Sequence, residues 1–451
     1  MATVTAPQFA PLFQPERLRT FPQEKSAYRL VITYVLLFPL LFFAVRGAFS
    51  FQYAGTNNAA TGTYGAMVNP DAGNGSALHS IELALCYGII CLACVPVWRR
   101  VLASCMDNKI AFALPLWAIL STIWSQEPKR TLVFAVFALI HTIFALYLPA
   151  RFKPQQQLQI FVLLCVIAAV SSFLVIGLMP RAGIDHKNAT IGLEGIFPHK
   201  NICSVAMLSF MLAGCFYRFK GKSALFRKLL FYFMALALVI GSTSRTGWLV
   251  FICSMVFIFL IKYLRNVNQL ERFLVALFIP TAMALAMWVV FEYRNEILAL
   301  LGKSSNLNGR TVIWRAVFLS IVKRPITGFG YDAFWIGFKG EAVRLATASG
   351  ITGLSNAENG ILQLWLELGL VGVLILLSML FRSCKNAVTC FRSDTQGYTL
   401  WYMSILFLNL LALVDGDKFM FPHSIAWTMF VLADAGLALQ AKRIQQVLPP
   451  R

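Results

Sequence analysis

About twelve mostly apolar runs follow one another along this chain, several of them short or merging with neighbours, where a helix needs about 20 such residues to cross a bilayer. They centre near residues 30–48, 83–98, 110–124, 131–150, 158–180, 202–217, 229–243, 246–264, 273–291, 360–381, 398–415 and 421–439. Inside hydrocarbon every backbone N–H and C=O has to be satisfied within the spanning structure, which leaves helices as the natural reading of such runs. Charged residues make up only 13% of the 451, against 58% hydrophobic; a soluble chain carries roughly 25% charged. The pattern predicts an all-α polytopic membrane protein. No cleavable signal peptide is expected, because 29 mostly polar residues precede the first apolar run.

The net charge of +20 does not point to nucleic acid, because its distribution follows the membrane. With the N-terminus in the cytoplasm, the segments "WRRVLASCMDNK", "RFKGKSALFRK", "KYLRN", "FRSCKNAVTCFR" and "AKRIQQVLPPR" all fall on that side. Together the cytoplasmic segments hold 23 of the 39 Lys and Arg, whereas residues 47 to 97 hold none. The positive-inside rule thereby sets the orientation. It divides the chain into a cytoplasmic segment 1–29, transmembrane helices 1–9 over 30–291, a large periplasmic loop 292–358, helices 10–12 over 359–440 and a cytoplasmic tail 441–451. None of the ten Cys falls in the outer loops 181–201 and 292–358, as suits an oxidising outer face without a disulfide. A bacterial inner membrane with both termini cytoplasmic is the expectation.

Sixteen basic residues remain outside, seven of them between Lys303 and Arg344. In "NLNGRTVIWRAVFLSIVKRPITGFGYDAFW" Asn308 reads as the cap of an amphipathic helix near 310–323, ended by Pro325 and the following glycines. Ile313, Val317, Phe318 and Ile321 form its apolar stripe, which suits a helix lying on the bilayer or lidding a cavity. Arg310 stands in its first turn, where a cation opposes the helix dipole unless an anion or water answers it. The other outer loop carries Arg181, His186, Lys187, His199 and Lys200, followed by Asn201. Arg245, in "GSTSRTGW", occupies a hinge between two apolar helices. An Arg so close to hydrocarbon is costly without a polar cavity or a partner. Each cation alone reads equally as an interfacial snorkeller; jointly, three segments bring Arg or Lys to one face beside Glu358 and describe a cationic outward cavity.

Guanidinium forks match phosphate oxygens, and a carboxylate within reach can take a proton from an attacking hydroxyl. A lipid pyrophosphate carrying a sugar fits both: the cations hold the leaving diphosphate and the acid activates the acceptor sugar. Arg315, Arg324 and Asn359 join His199, Lys200 and Asn201 as candidate substrate-binding residues, beside Glu358, Arg310 and Arg245 as candidate catalytic ones. The sequence shows no His/Cys cluster at metal spacing and no Gly-rich nucleotide loop, so no metal or cofactor is expected.

In order along the chain, "GIFPHKN", "GSTSRTGW", "NGRTVIWRA", "RPITGFGYDAFW" and "ENGILQLWLELGLVG" resemble the O-antigen ligase and polymerase superfamily, in the flavour of its exopolysaccharide-polymerase branch. The resemblance covers about residues 190 to 375. It implies a fold resembling the GT-C membrane glycosyltransferases and metal-independent, inverting glycosyl transfer at the periplasmic face. The implied substrate is an undecaprenyl-pyrophosphate-linked oligosaccharide, within the lipid membrane and beside polysaccharide-export and chain-length proteins. Arg245 matches a family Arg at the end of an inner helix, and Arg310 one near the start of the large-loop helix. The family signature runs from a His and a small polar residue, through nine positions, to Gly-x-x-Gly. Asn359, Gly369 and Gly372 fit that spacing, but Glu358 stands where the ligases have the His. That departure leaves open whether Glu358 is the base; His199 and His423 are the other candidates.

The other polar and aromatic features each have two readings. Gly369 and Gly372 suit close helix packing. Glu367 is an intramembrane acid with either a functional or a structural hydrogen-bonding role. Asp415, Asp417 and Lys418 form an outer turn that contacts sugar or only water. Trp314, Tyr331, Phe334 and Trp335 either stack on sugar or belong to the aromatic belt. The leading expectation is a polymerase of lipid-linked repeat units. The first alternative is a ligase moving finished glycan to a lipid A core or a protein. The other is a flippase or transporter using Glu367 and Asp434, against which the clustering of polar residues on one face argues.

Overall fold

The computed structural model describes residues 26–45, 77–185, 191–268, 310–336, 340–349, 356–391, 393–394, 396–414, 420 and 424–447. The expected span at 273–291, the cap Asn308, His186, Lys187, His423, Asp415, Asp417 and Lys418 lie outside them. The described helices are α1 (Ser26–Ala44), α2 (Ala77–Cys94), α3 (Trp98–Asp107), α4 (Ala113–Leu120), α5 (Pro128–Arg151), α6 (Pro154–Leu178) and α7 (Lys200–Gly214). Then come α8 (Ala224–Gly241), α9 (Arg245–Asn266), α10 (Arg310–Lys323), α11 (Glu341–Ser349), α12 (Gly360–Phe391), α13 (Tyr398–Val414) and α14 (Ile425–Val447). Two short strands, β1 (Ile184–Asp185) and β2 (Gly192–Leu193), pair antiparallel with Ile184 opposite Leu193.

Among the described residues six helices are long and apolar enough to cross a membrane: Ile81–Asp107, Pro128–Arg151, Pro154–Leu178, Ala224–Gly241, Arg245–Asn266 and Gly360–Phe391. Four shorter apolar helices, Val31–Ala44, Lys109–Ile123, Lys200–Gly214 and Tyr398–Leu413, complete the apolar set. The chain is a multi-pass, all-α membrane protein. Its outermost helices present large apolar side chains outward, among them Leu229 and Phe233 on α8 and Ile252 and Phe259 on α9. An apolar surface that continuous is a lipid-facing one. The centre of the bundle is α14, packed against α5, α12 and α13. From Trp427 to Leu437 nearly every side chain of α14 is buried, the all-round burial of a helix that touches no solvent.

Short links make the helices run up and down, so alternate termini share an end. Only Phe152 and Lys153 separate α5 from α6, which puts the start of α5 and the finish of α6 at the same end. That end gathers residues 179–185 and 191–201, the α8–α9 turn, the starts of α7, α9 and α14, and α10 with residues 324–336. The opposite end is tied by Tyr398 Oη to Gln155 Oε1 at 3.1 Å, Thr399 Oγ1 to Gln440 Oε1 at 2.7 Å and Lys442 Nζ to Asp107 Oδ1 at 2.9 Å.

A second, smaller core sits apart from the bundle core. Ile313, Val317 and Ile321 of α10 pack with Phe329, Phe334, Trp335, Ala342, Leu345, Ala357 and Leu366. This cap revises two sequence-level readings. Three members of the α10 stripe are buried against protein, while Phe318 is exposed, so this stripe seats the helix on α12. Tyr331, Phe334 and Trp335 are 3% exposed or less, which makes them packing residues and neither sugar platforms nor an interfacial belt.

Candidate functional site

α12 is two helices joined at Gly369, whose φ of 69° and ψ of −172° interrupt the ladder. In a continuous helix the carbonyls of Leu366, Glu367 and Leu368 would accept from residues 370, 371 and 372. Here Phe329 N donates to Leu366 O at 3.0 Å, Gly330 N to Glu367 O at 2.9 Å and Trp117 Nε1 to Leu368 O at 2.9 Å. The released donors are answered from the same loop: Leu370 N bonds Pro325 O at 2.8 Å and Val371 N bonds Ile326 O at 3.4 Å. The loop thus takes over two carbonyls and two amides of the broken ladder, and Trp117 on α4 takes the third carbonyl, as a buried break requires. A Cβ on Gly369 would overlap the Ile326 carbonyl, and one on Gly328 (φ 70°) the Glu367 carbonyl. Gly369 is therefore a left-handed break that admits a loop, and not the small residue for helix–helix contact that its spacing suggested.

The lock positions the motif "GFGYDAFW". Arg130, at the start of α5, holds Asp332 through Nη2 to Oδ2 at 2.6 Å and Nε to Oδ2 at 3.1 Å, and its Nε also meets the Asp332 carbonyl at 2.8 Å. Both side chains are largely buried, and Asp332 takes a left-handed φ of 52°. Thr131 Oγ1 donates to Tyr331 O at 2.9 Å, Ser121 Oγ accepts from Tyr331 N at 3.1 Å, and Tyr331 Oη donates to Met420 O. Burial first, then Asp332 and Glu367, push the Tyr331 phenol well above its ordinary pKa, so it stays a donor. Sequence reasoning missed Arg130 and Asp332, because a pair 202 residues apart leaves no local signal.

Glu358 lies beyond the first leg of α12, half-buried, with φ 49°. For a non-glycine residue that conformation costs on the order of 1–3 kcal/mol and persists only when its surroundings over-determine it. They do: Asn356 Oδ1 accepts from Glu358 N at 2.6 Å, and Trp314 Nε1 donates to Glu358 O at 3.3 Å. Asn359, expected to bind substrate, caps the helix: its Oδ1 accepts from Ile361 N and Leu362 N, both at 3.0 Å. Trp314 is thereby a clasp on the Glu358 turn. Glu367 is 4% exposed and accepts from Gln363 on its own helix.

A second group forms around β1, β2 and the starts of α7 and α9. His199, a spare candidate for the base, is the N-cap of α7, its Nδ1 accepting from Asn201 N at 3.2 Å. An accepting Nδ1 belongs to a neutral ring protonated at Nε2. Lys200 is 6% exposed and pairs with Asp185 at 3.4 Å, an ion pair at the foot of the hairpin. A Cβ on Gly192 would run into Ser242 O, Thr243 Oγ1 and Lys200 Cδ, so the hairpin touches both α7 and the α8–α9 turn. That turn is closed by Thr243 Oγ1 donating to Ile191 O at 2.9 Å and by Ser244, whose Oγ caps α9 by accepting from Gly247 N at 3.1 Å. Arg245 follows as the first helical residue, exposed. Arg310 likewise opens α10; its side chain lies outside the described part.

The remaining expected residues are more peripheral. Arg315 is exposed on α10. Arg324 is exposed too; its Nη1 donates to Trp124 O at 3.1 Å and its guanidinium lies 5.2 Å from the Phe329 ring centre. It lines an open depression of about 540 Å³ with Trp124, Lys323, Pro325, Ile326 and Thr327. Asp434, expected as a coupling acid by the transporter reading, is fully buried and bonded by Arg382 and by Ser383 Oγ at 2.6 Å. No group of three or more His, Cys, Asp or Glu occurs at metal-binding geometry among the described residues.

What the first end offers chemically is a set of helix N-termini, those of α7, α9, α10 and α12, with Lys and Arg in the first turns of the first three. Their helix dipoles add partial positive charge to that of the exposed Arg245 and of Arg310, although His199, Ser244 and Asn359 cap part of three of these termini and Asp185 answers Lys200; the arrangement suits an anion. Residues 230–377 match the family model described as O-antigen ligase. The chain is also 25% identical over 352 residues to the exopolysaccharide production protein ExoQ of Rhizobium meliloti (strain 1021), covering 74% of this chain and 79% of that one.

Proposed function

We propose that this chain, a multi-pass membrane protein of the O-antigen ligase and polymerase superfamily, polymerises lipid-pyrophosphate-linked oligosaccharide repeat units into exopolysaccharide at the periplasmic face of a bacterial inner membrane. The observation that carries the reading is where the family match falls. Its 230–377 span takes in Arg245, α10, the Gly369 lock and Glu358, which are the residues that assemble the first end of the bundle. In this reading the exposed Arg245, with Arg310 at the start of α10, answers the pyrophosphate and stabilises the leaving diphosphate as the glycosidic bond forms, while Lys200, buried against Asp185, holds the hairpin beside them. Glu358 takes the proton from the acceptor hydroxyl. Its strained turn keeps the carboxylate at the head of the helix.

The name of the similar exopolysaccharide production protein favours the polymerase reading. The family description favours a second, transfer of a finished glycan to a separate acceptor, with the same chemistry. One assay separates them. Purified protein in nanodiscs receives one synthetic lipid-pyrophosphate repeat unit and no other acceptor, and products are resolved by length. A ladder is expected from wild type, reduced about 10²-fold or more in Glu358→Gln and Arg310→Ala. A ladder untouched by Glu358→Gln removes the base role and keeps the polymerase. No ladder, with product on adding a lipid A core acceptor, establishes the ligase instead.

A further inference from the structure

Between the helix break and the Glu358 turn lies a buried polar chain of which the sequence singled out only Glu367. Gln363 is 2% exposed. Its Oε1 accepts two hydrogen bonds at 2.9 Å, one from Trp335 Nε1 and one from Ala357 N. Indole and backbone N–H groups only donate, so that end of the amide has to be the oxygen. The amide nitrogen is then turned to Glu367 Oε1, which accepts from it. Glu367 is anchored in its turn, because its own carbonyl is one of those that the broken helix hands to the loop at Gly330. An unbroken run of bonds thus links the lock at Gly369 to the peptide that precedes Glu358.

We infer that Gln363 and Glu367 are positioning residues for Glu358, coupling the geometry of the helix break to the placement of that carboxylate. The inference rests on the proposed role of Glu358. Three features make positioning the better description than general support. Glu358 holds a left-handed backbone that relaxes unless it is held. The bonds reach the turn at Ala357 N, immediately before it. Both polar ends of the Gln363 amide are engaged, Oε1 by Ala357 N and Nε2 by Glu367, with Trp335 as the second donor fixing its orientation. A half-satisfied buried network is also costly, so each member requires the others.

The test combines hydrogen exchange with kinetics on the full-length protein in nanodiscs. In Gln363→Leu the amides of residues 356–362 are expected to exchange about tenfold faster or more, as an opened network implies. Exchange in α5 and α14 stays at the wild-type level. In the lipid-pyrophosphate assay kcat falls about 10²-fold with KM nearly unchanged, the pattern of a displaced reacting group. Glu367→Leu reproduces both effects. Glu367→Gln, which still offers an acceptor oxygen, restores most of kcat and the slow exchange. Wild-type exchange over 356–362 in Gln363→Leu overturns the inference, as does a loss of protection that extends equally through α5 and α14. So does a Glu367→Gln variant as impaired as Glu367→Leu. Should Gln363→Leu not fold, Trp335→Phe removes one donor, keeps an aromatic ring, and is judged by the same exchange criterion. A wild type that makes no product sinks the proposed function alone, because the exchange arm still decides whether the network holds the turn.

Discussion

In the bundle, backbone groups satisfy one another along each helix, and buried polar side chains meet in local sets: Trp427 with Thr142, Tyr402 with Gln157, Arg382 and Ser383 with Asp434. In the cap, the backbone itself is shared. Residues 325–330 and 366–371 exchange bonds across some forty positions of sequence, and the side chains of Trp117, Thr131 and Trp335 close on carbonyls or amides of distant segments. The two regions therefore differ in how many places can fail independently. A bundle helix that loses one side-chain bond keeps its ladder. A cap segment that moves by one residue loses several backbone partners together, each buried and expensive to leave unmade.

That contrast can be broken or sharpened by substitution. Gly369→Ala is expected to have the largest effect, about 4 kcal/mol or more, because it combines a left-handed backbone with overlap on the Ile326 carbonyl. The thermal midpoint and the monodisperse fraction in detergent would report it, and a wild-type midpoint would show that the cap relaxes around the new methyl. Arg130→Met should cost about 3–5 kcal/mol by taking the guanidinium away from the buried Asp332 carboxylate. Adding Asp332→Ala should recover part of that loss, and full additivity of the two changes would mean that the pair is not coupled. Trp427→Phe, in the bundle, removes the bond to Thr142 and trims a fully buried ring, and should cost about 2 kcal/mol. A larger loss than in Arg130→Met would reverse the comparison. Arg245→Ala should leave stability within about 0.5 kcal/mol, since the residue is exposed. It should nevertheless lower turnover of a lipid-pyrophosphate substrate by about 10²-fold; parallel loss of folding and turnover would assign Arg245 to the scaffold.

The candidate site was legible in uneven measure. Glu358, Arg245 and Arg310 stood out as candidates because charge at the mouth of an apolar run contrasts with its surroundings. The cap roles of His199 and Asn359 were equally local, yet a His or Asn ahead of an apolar run reads as a ligand-binding residue as readily as a cap. Only the bond from Asn201 N to His199 Nδ1, and those from Ile361 N and Leu362 N to Asn359 Oδ1, separate the two readings. Gln363 gave no signal at all, since an amide about one turn inside an apolar run looks like any tolerated polar residue until its partners are placed.

By itself the sequence determined the helices, their membrane character and several of their ends. The helix foreseen near 310–323 runs from Arg310 to Lys323. Those properties depend on hydropathy and on residues within a few positions of one another, so a linear reading reaches them. The break at Gly369, the Arg130–Asp332 pair and the strained turn at Glu358 were decided by tertiary structure alone. A helix ladder opens inside a protein only where another backbone arrives to take its bonds, and which segment arrives is a property of the folded chain.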